Sequence, residues 1–402
     1  MPSTYPDRIY LDHAATTPMR PEAVEALLFH TQHTAGNPSG SHWAARAARQ
    51  VIDEARDTMA ELLGVRPGEV SFTSGGTEAN NLALFGVTQA TKATLAVSAI
   101  EHAAVLEPTK ALGGHILPVN TFGQVDVIAL EQVLCQANEQ ATLGGQATFG
   151  GKAIGLVSTM LVNNEIGSIH PLEPIAQTLM EFSKHENATA PIYLHTDAVQ
   201  APNWIDVAAA AQAAHLISVS AHKFGGPKGV GAIAIREGTP IRAVTLGGGQ
   251  ERERRSGTQN VAGIAAMAAA AKAVMAERAE LVARVGVLRD RLVSAIEAEL
   301  DGVHETPVDQ RAAGFAHLCF DGVESEPLLF LLDQKGVAAS AASSCASGAL
   351  EPSHVLEAIG IAPKLAKGSL RLSLGHTTTE ADINGAAAAI VEAVEQLRGS
   401  AL

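Results

Sequence analysis

An α/β fold built on a mostly parallel sheet is what this sequence predicts, and two observations carry that reading. Seven short runs of apolar and β-branched residues alternate with segments of helical character, the pattern of strands that need crossover helices between them. At 402 residues the chain also exceeds what one small core organises, so two domains are expected. Hydrophobic residues make up 47% of the chain, with abundant Ala and Gly and few aromatics, and such small side chains let helices pack closely on a sheet.

The elements follow in order. RIYLDHA opens as a strand and leads into the turn ATTPMRP, where Pro21 starts a helix carrying Glu22 and Glu25 near its positive end. After the turn Gly36 to Pro38, Ser41 caps a long amphipathic helix reaching about Leu63. The strands are VSFTSG, TLAVSA, HILPVN, IGLVSTMLV, IYLHTDA, LISVSA and GVGAIAIR, with a helix entering from about Glu78 after the first. From about Cys135 to Lys152 Gln, Gly and Thr dominate without a period, which predicts an exposed loop. After Thr258 the character changes to a long Ala-rich helix from about Ala262 to Leu300, then to a looser alternation of strands and helices. The expected division is therefore a large domain at 16–260 and a small one made of 1–15 and 261–402. Within the latter, an Ala/Ser/Gly stretch around 335–350 carries Cys345 without apolar anchors, which predicts mobility.

Charge and cysteine content narrow the function. The formal net charge is −14 with no run of Lys or Arg, which argues against direct nucleic-acid binding. Three widely spaced cysteines form neither a disulfide framework nor a metal-ligand spacing and suit a reducing compartment. The first residues lack a signal peptide, and the most apolar long stretch, Val261 to Ala276, is too short and too weakly apolar to span a bilayer. A cytoplasmic protein is expected.

Several residues that can carry chemistry fall at strand ends, where open α/β sheets bind ligands. Lys223, in SVSAHKFGGPKG, stands at such an end beside polar groups; it reads as a Schiff-base lysine or as a solvated loop lysine. Ser74-Gly75-Gly76-Thr77 precedes a helix, either as a phosphate cradle or as a plain N-cap at Thr77. Asp197 ends an apolar strand, where a carboxylate needs a partner: a pyridinium nitrogen, a helix end or a cation. Gln200, three residues on, can bond a ring oxygen. His102 at a strand-to-helix junction can stack on a ring, move a proton, or simply hold structure. Asn163, Asn164 and Glu165 close another strand. Cys345 sits where nothing packs it into a core and can act as a nucleophile, whereas Cys319 in AHLCFDG reads as core and Cys135 has no assigned role.

Taken in order, YLDHAATTP, GNPSGSH, FTSGGTEANN, SAIEHAAV, VNNEIG, HTDAVQ, SAHKFGGPKGVGA, GGGQERERRSGT, SSCASGALEPSHVL and RLSLG make the chain resemble the cysteine desulfurases, in the aminotransferase class V branch of the fold-type I pyridoxal-phosphate enzymes. The resemblance spans nearly the whole chain. It implies a homodimer of the fold-type I transferase class, with a mostly parallel seven-stranded sheet in the large domain and a smaller α/β domain. It implies that pyridoxal 5′-phosphate is bound through Lys223, stacked by His102, paired at its ring nitrogen by Asp197 and at its hydroxyl by Gln200. The phosphate falls to Gly76, Thr77, Ser220 and His222, joined by Thr258 of a second subunit. Arg371, with Asn164 nearby, receives the carboxylate of L-cysteine as a fork, and Cys345 takes the sulfur as a persulfide, leaving L-alanine. A sulfur-acceptor protein, either an iron–sulfur scaffold or a tRNA-thiolation enzyme, is the implied partner. The short SSCASGALEPS form resembles the group with a long mobile catalytic loop. Gln250 stands where many relatives have His, His376 where Arg is frequent, and the chain ends at LRGSAL without the tail that relatives use to grip a scaffold. The rival implications are a selenocysteine lyase, another class V enzyme, or a catalytically silent partner-binding subunit.

Overall fold

In the computed structural model, residues 8–143, 152–184, 191–341 and 353–400 are described. Twelve strands are found among them. A strand at Ile9–Tyr10 (β1) is followed by Val70–Thr73 (β2), Thr94–Ser98 (β3), His115–Leu117 (β4), Ile154–Ser158 (β5), Tyr193–Asp197 (β6), Leu216–Ser220 (β7) and Gly231–Ile235 (β8). Val303–Glu305 (β9), Phe315–Phe320 (β10), Val337–Ala338 (β11) and Ser369–Ser373 (β12) complete the set.

Strands β2 to β8 form one seven-stranded sheet in the order β2-β8-β7-β6-β5-β3-β4. The run from β7 to β4 is parallel, and only β8 is antiparallel to its neighbours. The central sequences TLAVS, IGLVS and LISVS are buried at every position, the mark of parallel strands covered by helices on both faces. Because β8 runs against both β7 and β2, β2 points the same way as β7. The C-terminal ends of β2, β3, β5, β6 and β7 therefore share one edge of the sheet.

The long helix Val261–Glu299 packs against the helices Pro21–His33, Trp43–Leu63 and Glu380–Ser400. Its buried Ala265, Ala266, Ala268, Ala270 and Ala271 supply the small face expected of an Ala-rich helix. Beyond it, β9, β10 and β12 form an antiparallel sheet in which Cys319 is buried. The N-terminal strand β1 joins none of its sequence neighbours and instead runs parallel to β11.

Three local expectations are corrected. The helix after the Gly36–Pro38 turn is capped by His42, whose ring accepts from the Ala45 amide at 3.3 Å, and not by Ser41. The helix after β2 starts at Gly76 with Gly75 as its N-cap, so Thr77 lies inside its first turn. Cys135 to Leu143 belong to a helix, Val127–Leu143, and not to an exposed loop. Leu130, Leu134 and Ala137 are its buried stripe, a helical period that the surrounding polar residues obscure. The rest of the expected loop, from 144 to 151, lies outside the described residues, as does Cys345.

Candidate active site

The sheet's shared edge gathers polar side chains that its apolar strands exclude. Strand β7 ends at the buried Ser220 and turns through Ala221–Lys223, which brings the Lys223 amine against the N-terminal segment. There Nζ donates to the carbonyl oxygens of Ala14 at 2.6 Å and Ala15 at 2.9 Å. Gln200 Nε2 donates to the same Ala14 oxygen at 2.7 Å. His222 meets the Thr16 hydroxyl at 3.2 Å, and burial, reinforced by Lys223 and Lys228, pushes its pKa down to about 4. At neutral pH it is an uncharged hydrogen-bonding ring.

Strand β6 ends at Asp197, 5% exposed. Its two carboxylate oxygens are both held: Oδ1 accepts from the Val199 amide at 2.9 Å and Oδ2 from Asn80 Nδ2 at 2.6 Å. His102 follows β3 as the N-cap of the helix Ala103–Ala111, its Nδ1 accepting from the Ala104 amide at 3.0 Å. That bond leaves the proton of the neutral ring on Nε2. Burial lowers the His102 pKa, with Asp197 opposing and Lys223 and His354 adding to the shift, so these charges share its surroundings.

The segment after β5 and the strand β12 contribute an arginine. Arg371 Nη1 donates to the carbonyl oxygen of Asn164 at 2.9 Å, and Nη2 to Asp12 Oδ1 at 2.7 Å. Asn164 thus meets the arginine through its main chain. Next to it, the buried Glu165 accepts a hydrogen bond from the Ser353 hydroxyl, and burial raises its pKa to about 7 against the pull of that bond and of Arg371.

Sequence reasoning placed Lys223, His102, Asp197 and Gln200 at strand ends, and the structure gathers them at this edge with Ser220 and His222. Arg371, named only through the family resemblance, comes from β12 of the antiparallel sheet and meets the group through Asn164 and Asp12. Thr77 is exposed on the first turn of its helix, and Thr258 is exposed on the loop before the long helix, with no hydrogen bond joining either side chain to the group among the described residues. Asn80 and Asp12 were missed. Their signals were faint: Asn80 is a buried amide one turn into a helix, and Asp12 belongs to the YLDHAATTP block without a neighbour that suggests a role.

Residues 9–385 match the family model for aminotransferase class-V. The chain belongs to the class-V aminotransferase family. Within that family it is 41% identical to an IscS-like cysteine desulfurase of Mycobacterium tuberculosis, over 98% of each chain. It is 40% identical to cysteine desulfurase IscS of Dictyoglomus turgidum, over 97% of this chain and 95% of that one. Among solved structures it resembles a NifS-like protein with a TM-score of 0.84 and 32% identity, covering 97% of this chain and all of that one. A NifS-like protein from Rickettsia africae gives 0.82 at 28% identity, over 98% and 99%.

Class-V enzymes of this kind depend on pyridoxal 5′-phosphate, and this chain is one of them. The donor set fits that group. Lys223 offers an amine, Asp197 a carboxylate pinned by two donors, and the helix Gly76–Thr91 a first turn whose N-cap, Gly75, has no side chain to cap it. The entry to that turn is also cut to shape: a Cβ at Gly76 would fall 2.7 Å from Val199 Cγ2 and 3.5 Å from Ser220 Cβ. Only a glycine leaves that cradle open.

Proposed function

We propose that this chain is a cysteine desulfurase, converting L-cysteine to L-alanine while the sulfur passes to Cys345 as a persulfide. The observation that carries the reading is the convergence of Lys223, His102 and Asp197 at one sheet edge, with the buried Arg371 held beside Asn164, in a chain whose relatives bear that name.

The bound cofactor supplies an electron sink for the carbon that loses a proton. The remaining tasks belong to the chain. Lys223 is the covalent anchor, and its Nζ then moves protons to and from the substrate. His102, neutral and with its proton on Nε2, stacks on the ring and assists that transfer. Asp197 pairs with the ring nitrogen, and Asn80 with the Val199 amide holds its carboxylate in place. Gln200 serves the ring hydroxyl. Gly76, Thr77, Ser220 and His222 hold the phosphate, with Thr258 supplied by a second copy in a homodimer; its exposure in a single chain supports that origin. Arg371 and Asn164 receive the substrate carboxylate. The Cys345 thiolate attacks the substrate sulfur, so an S–S bond forms as the Cβ–S bond breaks. The carbon keeps the electron pair and takes a proton, giving the methyl group of alanine.

We further infer the domain division at residues 16–260 against 1–15 with 261–402, supported by the pairing of β1 with β11. The setting is cytoplasmic, and the persulfide is passed to an acceptor protein, an iron–sulfur scaffold or a tRNA-thiolation enzyme. No helix among the described residues is long and apolar enough to cross a membrane.

The test is release of alanine and sulfide from L-cysteine in the presence of a reductant, comparing the holoenzyme with Cys345→Ala. Equimolar products that vanish in the variant, with its yellow cofactor retained, are expected. Full turnover by Cys345→Ala would remove the persulfide step, and no turnover by yellow, folded wild type would remove the activity.

A further inference from the structure

Arg371 is more tightly tied than a cation that only waits for a substrate. Its side chain is 6% exposed, and one carboxylate, that of Asp12, is hydrogen-bonded to it. Asp12 takes one hydrogen of Nη2, and the Asn164 carbonyl takes one of Nη1. Each terminal nitrogen of a guanidinium carries two hydrogens, so this pair of bonds fixes the plane of the fork and leaves one hydrogen on each nitrogen. Nε is buried and finds no partner among the described residues, so it does not restrain the fork further.

The carboxylate doing this is itself offered by a fixed backbone. Asp12 bridges Ser373, two residues from Arg371 on β12. Its carbonyl oxygen accepts from the Tyr10 hydroxyl at 3.1 Å and from the Ala15 amide at 3.1 Å. Asp12 remains 22% exposed, so its charge is screened on one side while the arginine's is not. A buried guanidinium that lost this partner would be left uncompensated and free to tilt about its stem.

We propose that Asp12 is a positioning residue for substrate recognition: it holds the Arg371 fork in the plane in which its two remaining hydrogens receive the α-carboxylate of the amino acid. The proposal rests on the reading of Arg371 as the carboxylate anchor. Asp12 touches no substrate atom and acts through the arginine. Because the carboxylate is gripped alike before and during the chemistry, its loss falls on KM far more than on kcat.

The test uses holoenzyme and the cofactor's visible absorbance. Asp12→Asn keeps the side chain's shape and an acceptor oxygen but removes the charge. It is titrated with L-alanine, which has the carboxylate, and with ethylamine, which lacks it; Arg371→Ala and the double variant are run in parallel. The expected result is a rise of roughly tenfold in the L-alanine Kd and the L-cysteine KM, the size of one lost charge-assisted bond. Ethylamine binding stays within about twofold of wild type in that single variant, a readout that a misfolded pocket would not preserve. In the double variant, Asp12→Asn adds nothing to Arg371→Ala. An unchanged or tighter L-alanine Kd in Asp12→Asn, an equal loss for ethylamine, or additive losses in the double variant would overturn the role of Asp12. An L-alanine Kd unchanged by Arg371→Ala would instead overturn the reading of the arginine on which the proposal stands.

Discussion

Burial decides which ionisable side chains at the sheet edge carry charge. His222 and His102 have their pKa values lowered by desolvation, so each is an uncharged hydrogen-bonding ring at physiological pH. Glu165 is pushed the other way, to about 7 from the ordinary 4.5. A carboxyl raised in the folded state binds its proton more tightly there than in the unfolded chain. The stability it contributes is complete below about pH 4.5 and declines as pH rises through about 7. Glu165→Gln cannot ionise, so its stability relative to wild type should grow between pH 5 and pH 8, by at most about 3 kcal/mol. Urea midpoints at the two pH values check this, and an equal gap at both would contradict it. Residues such as Lys223 and Asp197 were legible because a charged group at the end of an apolar strand is conspicuous. Asp12 and the Glu165–Ser353 contact were not, because their partners lie 359 and 188 residues away and no local pattern joins them.

At the scale of elements, the turn between β8 and the long helix has the least ordinary backbone. Glu251, Arg252 and Glu253 are consecutive non-glycine residues in the left-handed region, with φ of 49°, 57° and 64°. Such positions are costly for residues with a Cβ and persist when their surroundings over-determine them. Here the Glu251 carboxylate does so: it accepts from Arg56 Nη1 at 2.7 Å and Nη2 at 3.0 Å, from the Phe72 amide at 2.9 Å and from Gln259 at 2.8 Å. The turn is thereby tied to β2 and to the helix Trp43–Leu63. Glu251→Ala would strand the buried Arg56 and release the turn, and a loss of about 3–5 kcal/mol is expected in a denaturant titration. A loss below about 1 kcal/mol would show that the pair is not what holds it. All seven strands of the main sheet could be read in the sequence, because short apolar runs bounded by turn residues have few other uses. The helix Val127–Leu143 could not, since its buried stripe is three residues wide among Gln, Asn and Glu.

For the whole molecule, the N-terminal segment closes the site. Ala14 donates its amide to the Ser373 hydroxyl at 2.8 Å, and β1 lies beside β11. Asp12 meets Arg371, and the carbonyls of Ala14 and Ala15 hold the Lys223 amine. The mostly parallel sheet followed from the alternation of elements, but this return of the first residues to the last strands did not, for it depends on single contacts and not on a period. It has a consequence for how the protein comes into being. A ribosome delivers the segment 9–17 well before its distant partners exist: Arg371, on β12, follows Asp12 by 359 residues. A part made early is seated late. Long-range closure of this kind is slow, so in refolding from denaturant the amides of Leu11 to Thr17 should gain protection from pulsed hydrogen exchange only after those of β5, β6 and β7; protection in the earliest phase would contradict this. In a nascent chain that displays Lys223 but not yet β12, the Ala14 amide therefore lacks the Ser373 hydroxyl that fixes the segment holding the lysine amine, and the pocket is assembled only once β12 has been made.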